Sequence, residues 1–229
     1  MHHKLKQDVC DANIALQRHG LVLFTWGNVS AIDRDRSVVA IKPSGIDYDE
    51  LTPESIVVLD LQGNVIEGDL RPSSDTPTHL ELYRSFPTLG GVCHTHSTHA
   101  TMWAQAQRDI PCLGTTHADY FYGPVPVTAP MTAEEIAQDY EANTGKVIVR
   151  RFDRLDPAQM PAVLVANHGP FTWGASAAAA VENAVVLEEV AKMAAGALGI
   201  NSDQKAVSSS LLDKHYLRKH GENAYYGQA

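Results

Sequence analysis

Between residues 21 and 66 the chain holds five short β-rich segments, at 21–24, 29–32, 38–41, 56–61 and 65–66, separated only by tight connections. Such a succession reads as a meander of strands, the last pair turning at Gln62-Gly63-Asn64. A helix precedes it, because Leu5, Val9, Ala12 and Leu16 recur at helical spacing and His19-Gly20 supplies a stop. Helices then alternate with strands. Thr76-Pro77 places a capping hydroxyl before an N1 proline, with Leu80, Tyr83 and Phe86 free to face a sheet. A second helix is expected over 98–105, a third behind the capping-box spacing Thr132-Ala133-Glu134-Glu135, and an alanine-rich one from Ser176 to about Leu198. There Val181, Ala184, Val185 and Glu188 share one side. The polar stretch 199–210 reads as a loop before a final helix over 211–220. Strands first and a mixture later point to a mixed α+β fold. The sheet is expected to be largely antiparallel, not doubly wound.

Length bounds the rest. At 229 residues without a repeat, one domain spanning 1–229 is the expectation. The net charge of −9 offers no basic surface for a phosphate backbone, so a nucleic-acid partner is not expected. No apolar run is long enough for a bilayer, and Met1-His2-His3-Lys4-Leu5-Lys6 lacks the apolar core of a signal peptide, so the protein reads as cytoplasmic. Neither a GxGxxG nor a Walker A sequence occurs. Cys10, Cys93 and Cys112 form no CxxC pair, which argues against a disulfide framework.

The residues 90–93 form an apolar run that ends in His94-Thr95-His96. If 91–95 is a strand, alternation sends both imidazoles to one face, where they can share a metal ion. A third imidazole, His168, also follows a β-rich run, Ala162-Val163-Leu164-Val165-Ala166-Asn167. Three histidines with an open coordination position suit a catalytic ion. Taken alone, an HxH pair is more often two partly buried histidines bonded to neighbouring carbonyls. Cys93, pointing to the opposite face, reads as a core residue.

Two loops combine glycine and serine as an anion site requires: Lys42-Pro43-Ser44-Gly45 and Pro72-Ser73-Ser74-Asp75. Each alone is equally a turn or a helix cap. Asp75 reads either as a cap of the following helix or as a carboxylate aimed at a metal. The stretch Thr115-Thr116-His117-Ala118-Asp119-Tyr120-Phe121-Tyr122-Gly123 has little propensity for regular structure and mixes polar with aromatic groups, as pocket borders do. Asp119 is its acid–base candidate, whereas Tyr120 and Phe121 read as core. The C-terminal run through His215, His220, Tyr225 and Tyr226 is rich in titratable and aromatic groups; tails of this kind are usually solvated or docked on a neighbour, and a docked one can instead complete a site.

These stretches, with Leu23-Phe24-Thr25-Trp26-Gly27-Asn28-Val29-Ser30, Pro77-Thr78-His79, Ser97, His168-Gly169-Pro170 and residues 211–228, resemble the class II aldolase/epimerase family over essentially the whole length. The resemblance implies a mixed α/β domain with helices on both sides of its sheet. It also implies a C4 homotetramer with sites between subunits, and a divalent metal, usually zinc. By position, the implied ligands are Asp75, His94, His96 and His168. Gly27, Asn28, Lys42, Ser44, Gly45, Ser73 and Ser74 fall where the family holds substrate phosphate. Asp119 and Tyr226 match its acid/base pair, the tyrosine coming from an adjacent subunit through the 211–229 segment. Thr115 and His215 stand nearby as auxiliaries.

The aldolase branch carries glutamate where this chain has Asp75, whose shorter arm is less able to act as a base. That favours the branch that interconverts L-ribulose 5-phosphate and D-xylulose 5-phosphate, in the use of arabinose, another pentose or ascorbate. The C4 hydrogen lies β to the C2 carbonyl, so its removal leaves an undelocalised anion. Retro-aldol cleavage of C3–C4, rotation of the glycolaldehyde phosphate and re-addition avoid this, and require two acid/base groups. A deoxyhexulose-phosphate aldolase and a non-enzymatic metal-binding sugar-phosphate sensor are the alternatives.

Overall fold

The computed structural model describes residues 2–226. Its strands are β1 (Asn28–Asp33), β2 (Val38–Ile41), β3 (Val57–Asp60), β4 (Val65–Glu67), β5 (Gly91–His94), β6 (Ala162–Val165) and β7 (Gly169–Gly174). They form one sheet in the order β4-β3-β2-β1-β5-β7-β6. Every neighbouring pair is antiparallel, as the meander of short strands implied.

The helices are α1 (His3–Arg18), α2 (Thr76–Ser85), α3 (Thr98–Gln105), α4 (Thr115–Ala118), α5 (Ala133–Ala137), α6 (Tyr140–Arg151), α7 (Ala177–Ile200) and α8 (Ser209–His220). Strand alternation sorts the core into two faces. Val29, Ala31 and Cys93 turn toward Val9, Leu16 and the first half of α7, while Ile32 and Val92 turn toward Leu80, Tyr83, Trp103, Ile148 and the second half of α7. Helices therefore cover both sides of the sheet. Burial pushes the Cys93 thiol up to about 12, consistent with a core residue. At Gly91 the start of α7 comes so close that a Cβ would lie 2.5 Å from the backbone of Ser176 and Ala177, which only glycine permits. Among the described residues no helix is long and apolar enough to cross a membrane.

Several expectations need correction. Residues 21–24 are not a strand: both edges of β1 are already paired, with β2 and β5, so the segment instead plugs Leu21 and Val22 into the core. Leu23 and Phe24 remain exposed, Phe24 at φ +52°. The cap of α2 is not the Thr76 hydroxyl, which is inside the helix and donates to the Ser73 carbonyl at 2.6 Å. The stretch 115–123 opens with the single turn of α4, and Tyr120 is only half-buried, its hydroxyl donating to Glu182. Both β7 and α6 appear where no element was expected. By contrast, the Thr132–Glu135 capping box is formed and α3 has the expected bounds.

Candidate active site

Three imidazoles meet at one end of β5. His94 is the last residue of that strand, His96 lies just beyond it in the link to α3, and His168 sits in the β6–β7 turn after Asn167, which takes φ +62°. The two histidines of the HxH motif therefore do not share a strand face, yet they converge. Their Nε2 atoms are 3.1 Å apart, and one nitrogen from each of the three rings lies within 4.8 Å of the others. His94 Nδ1 donates to the Pro170 carbonyl at 2.9 Å, which leaves Nε2 with the free lone pair. The ring is also stacked on Phe171 at 4.1 Å.

This arrangement fits a divalent ion. Two nitrogens bound to one ion at about 2.0–2.1 Å stand about 3 Å apart. Burial, followed by the neighbouring His94 and His96, pushes His168 down to about 3, so it is neutral, the form that ligates. His168 Nδ1 is buried without a protein partner, whereas the corresponding nitrogen of His94 has one.

Asp75 occupies the cap position of α2 in helical conformation but makes no side-chain cap bond. Its carboxylate accepts a hydrogen bond of 2.6 Å from Asn28 Nδ2. Burial opposes its charge, yet His94, His79, the Asn28 amide and His168 together hold its pKa below the usual range. The side chain therefore does not cap α2, and it lines the cavity beside the imidazoles without joining the group of donor atoms that lie within 4.8 Å of one another, which is formed by His94, His96 and His168.

The two serine loops, ambiguous singly, are joined by backbone pairing. Ser44 N donates to Arg71 O at 2.9 Å and Ser73 N to Lys42 O at 3.0 Å. One cavity of about 560 Å³ results, and it is lined by Gly27, Asn28, Lys42, Ser44, Gly45, Ser73, Ser74, Asp75, His94, His96 and His168. The Lys42 ammonium is buried, donates to the Ile46 carbonyl at 2.7 Å and lies 4.9 Å from the Tyr48 ring centre. Burial pushes it down to about 8, against the pull of Asp47.

Asp119 and Tyr226 do not line this cavity. They belong to a second cluster, where α8 docks on α4. The Asp119 carboxylate accepts from Arg218 Nη2 at 2.7 Å, Arg218 Nε at 3.0 Å and His215 Nδ1 at 3.1 Å. Burial opposes its charge, but Arg218 and His215 prevail and hold its pKa low. The guanidinium of Arg218 lies 4.8 Å from the Tyr226 ring centre, and Tyr226 N donates to Arg218 O. Thr115 and His215 join the same cluster, Thr115 through its carbonyl to Asp119 N. Asp119 therefore accompanies Tyr226 rather than the imidazoles. Gly227 and Gln228 lie outside the described residues.

Sequence reasoning missed Trp26, Tyr140 and Glu141, which also line the cavity, and Arg218. Tyr140 and Glu141 open α6, whose buried Thr144, Val147 and Ile148 carry a helical spacing that marks the element. Arg218 follows His215 by three residues and so shares its helix face.

Residues 7–195 match the Class II Aldolase and Adducin N-terminal domain, and the chain belongs to that family. Among solved structures it is similar to an L-fuculose 1-phosphate aldolase, at 27% identity over 95% of this chain and 96% of that one, with a TM-score of 0.81. It is also similar to YgbL from Klebsiella pneumoniae, provisionally assigned as an aldolase/epimerase/decarboxylase, at 26% identity over 93% and 98% of the two chains (TM-score 0.73). An L-fuculose-1-phosphate aldolase from Thermus thermophilus shares the fold, at 23% identity over 89% and 100% (TM-score 0.70).

Proposed function

We propose that this protein is a metal-dependent enzyme that breaks and re-forms a carbon–carbon bond of a sugar phosphate, and specifically a 4-epimerase of L-ribulose 5-phosphate and D-xylulose 5-phosphate. The observation that carries the reading is the single cavity in which three imidazoles and a carboxylate face two paired serine loops. A divalent ion held by His94, His96 and His168, with Asp75 beside them and zinc the expected ion, supplies Lewis-acid stabilisation of charge developing on substrate oxygens.

The chain's own groups do the rest. Hydroxyl donors of Ser44, Ser73 and Ser74 and the backbone N–H groups of Gly45 and Ser74, with the Lys42 ammonium, hold the phosphate while the aldehyde fragment turns. Gly27 and Asn28 complete the wall, and Asn28 also orients Asp75 through its amide. When C3–C4 breaks, one acid/base group takes the proton from the C4 oxygen. After rotation the other returns a proton to that oxygen on the opposite side. Asp119 and Tyr226 fill these roles. Neither lines the cavity of its own chain, which fits service to the cavity of an adjacent subunit in a C4 tetramer, with Thr115 and His215 supporting them.

Similarity to an L-fuculose 1-phosphate aldolase favours a second reading, cleavage of a deoxyhexulose phosphate to dihydroxyacetone phosphate and an aldehyde. The decisive experiment incubates the metal-loaded protein with L-ribulose 5-phosphate and assays D-xylulose 5-phosphate. Epimerisation supports the first reading. Its absence, together with cleavage of fuculose or rhamnulose phosphate, reverses the choice.

A further inference from the structure

Glu188, in the middle of α7, directs its carboxylate at the first turn of α3. Oε1 accepts from His99 N at 2.8 Å and from His99 Nδ1 at 2.8 Å, while Oε2 accepts from Ala100 N at 2.9 Å. Helix starts leave such N–H groups unpaired, and Ser97, the residue in the cap position of α3, makes no side-chain cap bond. A carboxylate from another helix has taken over that task, with the favourable sign for a helix N-terminus. Burial opposes its charge, but the Ala100 and His99 amides outweigh burial and hold its pKa below the usual range.

What this clamp fixes is the segment bearing the imidazoles. His96 immediately precedes Ser97, so the start of α3 sets where its ring stands. The turn bearing His168 leans on the same unit: Asn167 N donates to Ala104 O of α3 at 3.0 Å. A Cβ at Gly169 would lie 2.8 Å from the Thr95 carbonyl and 3.4 Å from the His96 ring. A shift of the first turn of α3 therefore moves His96 and disturbs the packing beside His168.

We propose that Glu188 is a positioning residue of the three-imidazole centre, holding the His96 segment in register by capping α3 from α7. The proposal rests on the reading that His94, His96 and His168 hold a divalent ion. Glu188 does not line the cavity, and it acts through the His99 amide and imidazole and the Ala100 amide.

The test measures Zn²⁺ affinity by competition with a chromophoric chelator, and the visible spectrum after Co²⁺ loading, on the full chain and on E188A and E188Q. Affinity in E188A is expected to fall by about 10- to 100-fold, the usual cost of removing an outer support of a metal ligand, with altered Co²⁺ bands. The fold is retained, because Trp103 Nε1 still donates to Ala191 O and the buried face of α3 is unchanged. E188Q keeps one acceptor for the amides and is expected to lose less affinity than E188A, with a smaller change in the bands. Wild-type affinity and Co²⁺ spectrum in E188A, even with a lowered Tm, would mean that Glu188 serves only packing and would overturn the proposal. Should E188A not fold, an unaltered affinity and spectrum in E188Q overturns it equally. A wild-type protein that takes up neither ion overturns the reading of the centre and the proposal together, which separates that failure from the first.

Discussion

At Gly27 the backbone takes φ +80°, and a Cβ there would meet the His94 carbonyl at 2.8 Å and Val22 Cγ1 at 2.9 Å. Left-handed conformation and close approach both require glycine. Gly27→Ala is expected to cost about 1–3 kcal/mol in urea denaturation, the range for a strained backbone residue, and to weaken Zn²⁺ binding because the displaced backbone carries His94. Retained affinity would show that His94 tolerates the shift. Lys42 gives a residue-scale dependence on pH. Its folded pKa, about 8, lies below the ordinary lysine value of 10.5, so protonation favours the unfolded chain. The resulting cost to stability is full below about 8 and disappears as pH rises from about 8 to 10.5. Lys42→Met is expected to lack this rise, measured as the difference in unfolding free energy between the two proteins across that window. Inorganic phosphate should bind the wild type less well above about 8, where the ammonium is lost. A wild-type profile as flat as that of the variant would mean that the amine is not held as a buried cation.

Among the elements, α8 depends on a small set of charged bonds. Arg218 and His215 attach it to Asp119 at the end of α4, and Tyr216 adds a ring contact with Tyr122 at 5.0 Å. Asp119 is held below its ordinary carboxylate pKa, so this support is fully present above the unfolded value and is lost as pH falls through the lower, folded one. Arg218→Ala is expected to speed amide exchange across α8 while leaving β5 and β7 protected. Equal protection of α8 in the variant would show that the histidine bonds to Asp119 and the ring contacts suffice without Arg218. The legibility of such elements from sequence followed the strength of their local signals. The bounds of α3 and the capping box of α5 were readable because caps and periodicity are local. Residues 21–24 have strand composition, but their non-strand state is decided by β2 and β5 occupying both edges of β1, a non-local fact. Likewise β7 begins at Gly169-Pro170, two residues of low strand propensity, and it becomes a strand by pairing with β5 and β6. At the site, the three clustered histidines and both serine loops were legible, yet the union of the loops depends on bonds from Ser44 to Arg71 and Ser73 to Lys42, which no spacing reveals.

On the scale of the whole molecule, the cavity and the cluster of Asp119 and Tyr226 are separate places on one chain. Beside the cavity Leu23, Phe24 and Trp26 are 63%, 78% and 50% exposed, an apolar rim of the kind that association covers. If the proposed reaction uses both places, each working site draws its imidazoles from one subunit and its acid/base pair from the next, joined by a head-to-tail interface that closes into a ring. Two variants then separate the halves. His96→Ala is expected to lose metal, and Tyr226→Phe to keep its metal while losing most activity, each alone forming an inactive oligomer. Co-refolded in equal amounts, they should regain activity in about a quarter of the sites, because random assembly around a ring pairs an intact cavity with an intact neighbouring tail at that frequency. Complementation on this scale, measured as sugar-phosphate turnover at fixed total protein, requires sites shared between subunits. Inactive mixtures, with mixed oligomers demonstrated by mass spectrometry, would place the acid/base groups of each cavity on its own chain and remove Tyr226 of the neighbour from the reaction.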